Sequence, residues 1–125
     1  DKAPDSRYIH RGKFCWDLTE KVEEKGSVQE RIFHALSHLE KIRREEAVFN
    51  ADAEVYTKDY DDPSILWIVR RAGGEELHAV FNFSDEGKQI WMPEKRRYQN
   101  LAAEETRELE TVELAGWDFI WMKKV

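Results

Sequence analysis

A chain of 125 residues suits one domain, and its 41% hydrophobic and 12% aromatic content suffices for a buried core, which excludes a disordered segment. The net charge is −6, with lysines and arginines interspersed among acids along the whole length, so there is no basic footprint for nucleic acid. A single cysteine, Cys15, excludes an internal disulfide, and the longest apolar run, Ile65 to Val69, is far too short to span a membrane.

The chain opens on a chemically dense stretch, DSRYIHRGKFCW (Asp5 to Trp16), that follows neither a helical nor a strand period and is expected to be a loop. Cys15 lies between Phe14 and Trp16, with Lys13 as its nearby cation, and is expected to be a packed thiol rather than a reactive one. Asp17 to Gly26 is charged and short of apolar anchors, which predicts an exposed segment that a helix could suit. Ser27 then stands three residues before Glu30, the spacing of a capping box. At 100° per residue, Val28, Ile32, Ala35, Leu36, Leu39 and Ile42 fall within an arc of about 120°, predicting a helix from Val28 to Glu46 buried along one stripe. Arg43 projects into that arc, so it either finds a carboxylate or carbonyl partner or snorkels to water. His34 and His38 have the i, i+4 spacing that can bind zinc. However, Ala35 stands where a metalloprotease glutamate would be and both histidines lie on the polar face, so no metal is expected.

From Ala53 onward the period changes to two. Strands are expected at Glu54–Tyr60, Ile65–Val69, Leu77–Phe83, Lys88–Met92, Arg97–Leu101, Leu109–Ala115 and Trp117–Trp121. Turn signals separate them at Asp61-Asp62-Pro63, Gly73-Gly74, Asp85-Glu86-Gly87, Pro93 and Gly116. Short strands at this spacing describe an antiparallel sandwich. Ile65–Val69 is apolar on both faces, as in a central strand, and Trp117, Phe119 and Trp121 share a face expected to be core. Trp91 points opposite Ile90 and Met92, so it is the tryptophan expected at the surface and the candidate platform for a sugar ring. Asn82-Phe83-Ser84 fits a glycosylation acceptor, but its place in a strand makes a structural role the expectation. The acid pairs Asp61-Asp62 and Glu104-Glu105 lie in turn-like contexts where neighbouring side chains point apart, a poor arrangement for an acid and a nucleophile.

The order DSRYIHR, then QERIFHALSHLEKIRRE, AEVY, SILWIVRR, AVFNFSDE and WDFIWMKK resembles the C-terminal end of amylosucrase-like enzymes of glycoside hydrolase family 13, the α-amylase family. Gly12 departs from that pattern, standing where a proline often follows the arginine. The resemblance implies a mainly β fold: an antiparallel Greek-key β-sandwich preceded by a loop and one amphipathic helix from the end of a (β/α)8 barrel. Residues 1–50 would then be the end of the barrel, with an active-site loop at 1–16, the charged segment at 17–26 and the last helix at 27–46. Residues 51–125 would be the C-terminal β-sandwich. By position, Arg7 would pair with a barrel aspartate at the closed end of the glucose pocket, a role that suits a planar and always-charged guanidinium.

The implied activity is glucosyl transfer from sucrose to α-1,4-glucan by the whole enzyme, with no cofactor or metal and no catalytic residue in this chain. Sucrose hydrolase, sucrose phosphorylase and α-amylase specificities are not separable on these residues. The implied partners are the chain's own N-terminal barrel and, through it, sucrose and α-glucan; no nucleic acid or membrane is expected. Alone, the chain is expected to hide its helical stripe, by folding the helix onto the sandwich or by pairing as a homodimer through residues 28–46. The alternative, from another class, is a free-standing carbohydrate-binding or protein-interaction module. The compartment is left open, leaning to the cytoplasm.

Overall fold

The computed structural model describes residues 13–125, and the chain divides into two compact units, residues 1–37 and 38–125. In the first, Trp16–Val22 forms a 3-10 turn with none of its residues buried. Cys15 before it is exposed, not packed, because its neighbours Phe14 and Trp16 stack edge-on against each other at 5.2 Å and cover little else. Helix α1 spans Val28–Glu45. Its Ser27 hydroxyl accepts the Glu30 amide at 3.0 Å and donates to the Lys21 carbonyl at 2.6 Å. The Glu30 carboxylate takes the amide of Gly26 rather than that of Ser27, which already donates to the Glu24 carbonyl. Two orphan donors are satisfied either way, so the helix starts where the capping box predicts.

The buried stripe is only partly realised. Val28, Ile32 and Leu36 are each more than half exposed, while Ile42 is buried and Leu39 half-buried. Among the described residues of the first unit, Phe14, Trp16 and Leu18 are themselves exposed and leave these three side chains uncovered. Arg43 snorkels, pairing with Glu40 at the surface.

The second unit is mainly β, as the sequence implies. Six strands form an antiparallel sheet: β1 (Glu54–Thr57), β2 (Ile65–Ala72), β3 (Glu75–Asn82), β4 (Lys88–Asn100), β5 (Glu105–Leu114) and β6 (Phe119–Lys124), in the order β1-β2-β3-β6-β4-β5. Gly73 and Gly74, both with positive φ, make the two-residue turn of the β2–β3 hairpin, where a residue with a Cβ would be strained. The two strands expected around Pro93 are one. Proline donates no hydrogen bond, so β4 does not end there but slips register against β5 between Trp91 and Arg96.

That irregularity bends the sheet. Ile65, Trp67 and Val69 of β2 share a cluster with Ile90, Met92 and Tyr98 of β4, Leu114 of β5 and Ile120 and Met122 of β6. Strands so far apart in a flat sheet cannot share side-chain contacts, so the β4–β5 hairpin closes over one face as a second layer. On the other face Ile42 of α1, Val48, Leu77 and Leu101 form a smaller cluster, with Leu39, Phe49 and Trp121 packed against it. Both faces of β3 are therefore covered.

β2, expected to be central and buried on both faces, lies next to the edge strand. Its odd residues are buried, while Leu66 remains partly open. Trp117 is not core: it sits in the β5–β6 turn with φ 57°, 70% exposed, while Trp121 packs against the smaller cluster and Ile120 and Met122 join the larger one. Gly116 before Trp117 has backbone oxygens so close that an added Cβ would lie 2.5 Å from the Asp85 carbonyl oxygen. Asn82 fastens the same corner. Its amide donates to the carbonyls of Glu86 and Ala115 while its oxygen accepts from the Ser84 amide and hydroxyl. At 2% exposure it is a strut rather than a glycosylation acceptor.

Candidate functional site

Arg7 lies outside the described residues. Trp91 is described. Because Ile90 and Met92 of β4 point into the core, the alternation turns the Trp91 indole outward, where it is 56% exposed. It does not stand alone. The loop between β1 and β2 comes up beside it, and Asp59, Tyr60, Asp61, Asp62 and Trp91 line a shallow depression of about 420 Å³.

The loop is held by local chemistry. Pro63 presets its own φ, and Asp62 accepts from the Ser64 amide at 2.9 Å and the Ser64 hydroxyl at 2.6 Å, an Asx turn. The other Asp62 oxygen pairs with Lys88 of β4 at 3.1 Å. These contacts, the Ser64 hydroxyl foremost, hold the Asp62 carboxyl down to about 2. Tyr60 packs against Trp67 with ring centroids 5.6 Å apart and planes tilted by 41°, and its hydroxyl spans to β4, donating to the Gln89 carbonyl and accepting from the Trp91 amide. Asp59 and Asp61 have no side-chain partner among the described residues. Sequence reasoning singled out Trp91 from its place in the alternation. It missed Tyr60, Asp59 and Asp61, because only the bend in β4 brings that loop to the tryptophan.

A second concavity, about 430 Å³, opens over the β4–β5–β6 side of the sheet, with Leu109, Phe119 and Met122 in its wall. The carboxylates on its rim are engaged: Glu105 by Arg107, Glu113 by Gln89 and Asp118 by the Phe119 amide.

Under the sheet runs a buried polar chain. Trp67 donates its indole N–H to His78 Nδ1 at 3.0 Å. An indole nitrogen can only donate, so Nδ1 carries no proton and the ring is the Nε2–H tautomer, donating to Glu76 at 2.8 Å. Burial lowers the His78 pKa, with Glu76 pulling the other way. Burial alone would raise Glu76, but hydrogen bonds from Lys124, Arg71 and His78 bring it down to about 2. Each carboxyl with a shifted pKa among the described residues, at Glu40, Asp62, Glu76 and Glu94, is shifted downward. A glycosidase acid needs the opposite, a carboxyl kept protonated near neutrality. Of the two histidines at i, i+4, His34 faces Glu30 and His38 bonds the Ala102 carbonyl. No cluster of metal-ligating side chains occurs among the described residues.

Among solved structures the chain is similar to the trehalulose synthase MutB from Pseudomonas mesoacidophila MX-45. The TM-score is 0.59 at 21% identity, over 69% of this chain and 16% of that one. A variant of MutB in complex with the substrate sucrose matches to the same extent. The α-glucosyl transfer enzyme XgtA matches with a TM-score of 0.65 at 16% identity, over 86% of this chain and 20% of that one. These identities establish a shared fold, and the chain spans about a sixth to a fifth of the proteins it resembles. No protein-family model and no curated protein matches it.

Proposed function

We propose that the chain is the C-terminal part of an α-amylase-family transglucosidase of the amylosucrase type, which moves a glucosyl unit from sucrose to an α-1,4-glucan. Catalysis belongs to a barrel upstream; this part supports the barrel and supplies Arg7 to the donor pocket. The observation that carries the reading is the pairing of a bent antiparallel sheet, of the fold seen in two sugar-transforming enzymes, with a preceding helix whose stripe at Val28, Ile32 and Leu36 is uncovered. A self-contained binding module would not keep such a helix, whereas a barrel helix needs that stripe against barrel strands. Asp62 and Glu76, held ionised by their partners, do not suit the protonated acid that glycoside cleavage needs. In the absence of the barrel the same stripe would pair two copies of the chain through residues 28–46.

The test is sucrose turnover by the complete enzyme carrying Arg7→Ala. Removing the guanidinium leaves a pocket aspartate without its counter-charge, at about 3–5 kcal/mol, so kcat/KM should fall by about a hundredfold or more while the fold persists. Near-normal kinetics would contradict the role given to Arg7.

A further inference from the structure

We infer that the depression between Trp91 and the Asp59–Asp62 loop is a second carbohydrate site, taking two or three units of an α-glucan chain by stacking on the indole. The choice of ligand as α-glucan rests on the function proposed above; the choice of a sugar rests on the depression itself. An exposed indole offers a flat apolar face of the size of a pyranose ring, and leaving it in water is an unmet opportunity for burial. Tyr60 supplies a second aromatic wall. Its ring is fixed by Trp67 and its hydroxyl by the backbone of Gln89 and Trp91, so little freedom is lost when a ligand arrives.

The polar groups fit the rest of a sugar. Asp59 and Asp61, exposed and without side-chain partners among the described residues, can accept hydrogen bonds from ring hydroxyls at the edge of the stack. Asp62, spent on Ser64 and Lys88, holds the loop in place instead. No lysine or arginine lines the depression, and Lys88 at its edge is spent on Asp62, so a phosphate or a nucleic acid finds no free counter-charge there. A neutral, hydroxyl-rich chain with apolar ring faces satisfies both kinds of surface, and a depression open to solvent allows the chain to run on past its ends.

The experiment is a titration of the full 125-residue chain with maltoheptaose, read by backbone amide chemical shifts and tryptophan fluorescence. Cellohexaose and spermine serve as the comparison ligands. Shifts should gather at Asp59–Asp62 and Trp91, with little dependence on salt, because the ligand is neutral. Trp91→Ala should weaken binding at least tenfold, and Asp61→Asn severalfold, with unchanged thermal midpoints because both side chains are exposed. Trp91→Phe should retain part of the affinity. Shifts elsewhere, binding indifferent to Trp91→Ala, a preference for cellohexaose, or salt-sensitive binding of spermine alone would each overturn the assignment. The function proposed above fails separately, through absence of glucosyl transfer from sucrose by the complete enzyme, and that result leaves the titration readable.

Discussion

His78 shows how one residue couples sheet packing to pH. Its ring is buried on β3 between an indole donor and a carboxylate, an arrangement that fits only the neutral form. The folded pKa is therefore below the ordinary 6.5. As pH falls through 6.5 the unfolded chain takes up a proton that the folded chain refuses, so stability is full above 6.5 and declines below it. Glu76 adds a second decline from 4.5 toward about 2, since its folded carboxyl stays ionised where the unfolded one does not. Urea midpoints measured from pH 8 to pH 4 should hold steady at first, drop below 6.5 and steepen below 4.5. In His78→Gln the first drop should vanish and the second remain. A midpoint that stays level down to pH 5 in the native chain would show that His78 protonates without cost.

At the scale of elements, α1 is the place where a local sequence signal and its tertiary setting come apart. The capping box and the apolar arc were legible, because both depend on residues within one or two turns. Which part of the arc is covered was not, since Ile42 is buried by Val48, Leu77 and Leu101 from three later segments. The uncovered side chains of Val28, Ile32 and Leu36 would each gain about 1.5–3 kcal/mol on full burial. The isolated chain should therefore self-associate through this stripe, with light scattering giving a mass near twice the monomer. Ile32→Glu with Leu36→Glu should return it to monomer with the sheet intact. A native chain that stays monomeric at high concentration would contradict the pairing.

Strand alternation was legible in the same limited sense. It tells which residues share a face but not which face is inner, and β6 carries large apolar groups on both: Ile120 and Met122 toward one cluster, Phe119 and Trp121 toward the other side. Reading Trp117 into that pattern failed because the strand starts two residues later, after a left-handed turn residue. Pro93 misled for a related reason: as a local breaker it should end a strand, but a bulge absorbs it and the strand continues. The depression beside Trp91 is a product of that bend and so could not be read from any one stretch.

For the molecule as a whole, both clusters on the two faces of β3 are assembled within residues 38–125, and the carboxyls with shifted pKa values are held as anions. On the proposed reading such a body braces the barrel and leaves bond cleavage to it. Fructose release from sucrose in the presence of an α-glucan acceptor tests this most directly, measured for the complete enzyme and for the 125-residue chain alone. The complete enzyme should release fructose and lengthen the glucan, and the chain alone should do neither. Fructose released by the chain alone, or none released by the complete enzyme, would contradict the assignment.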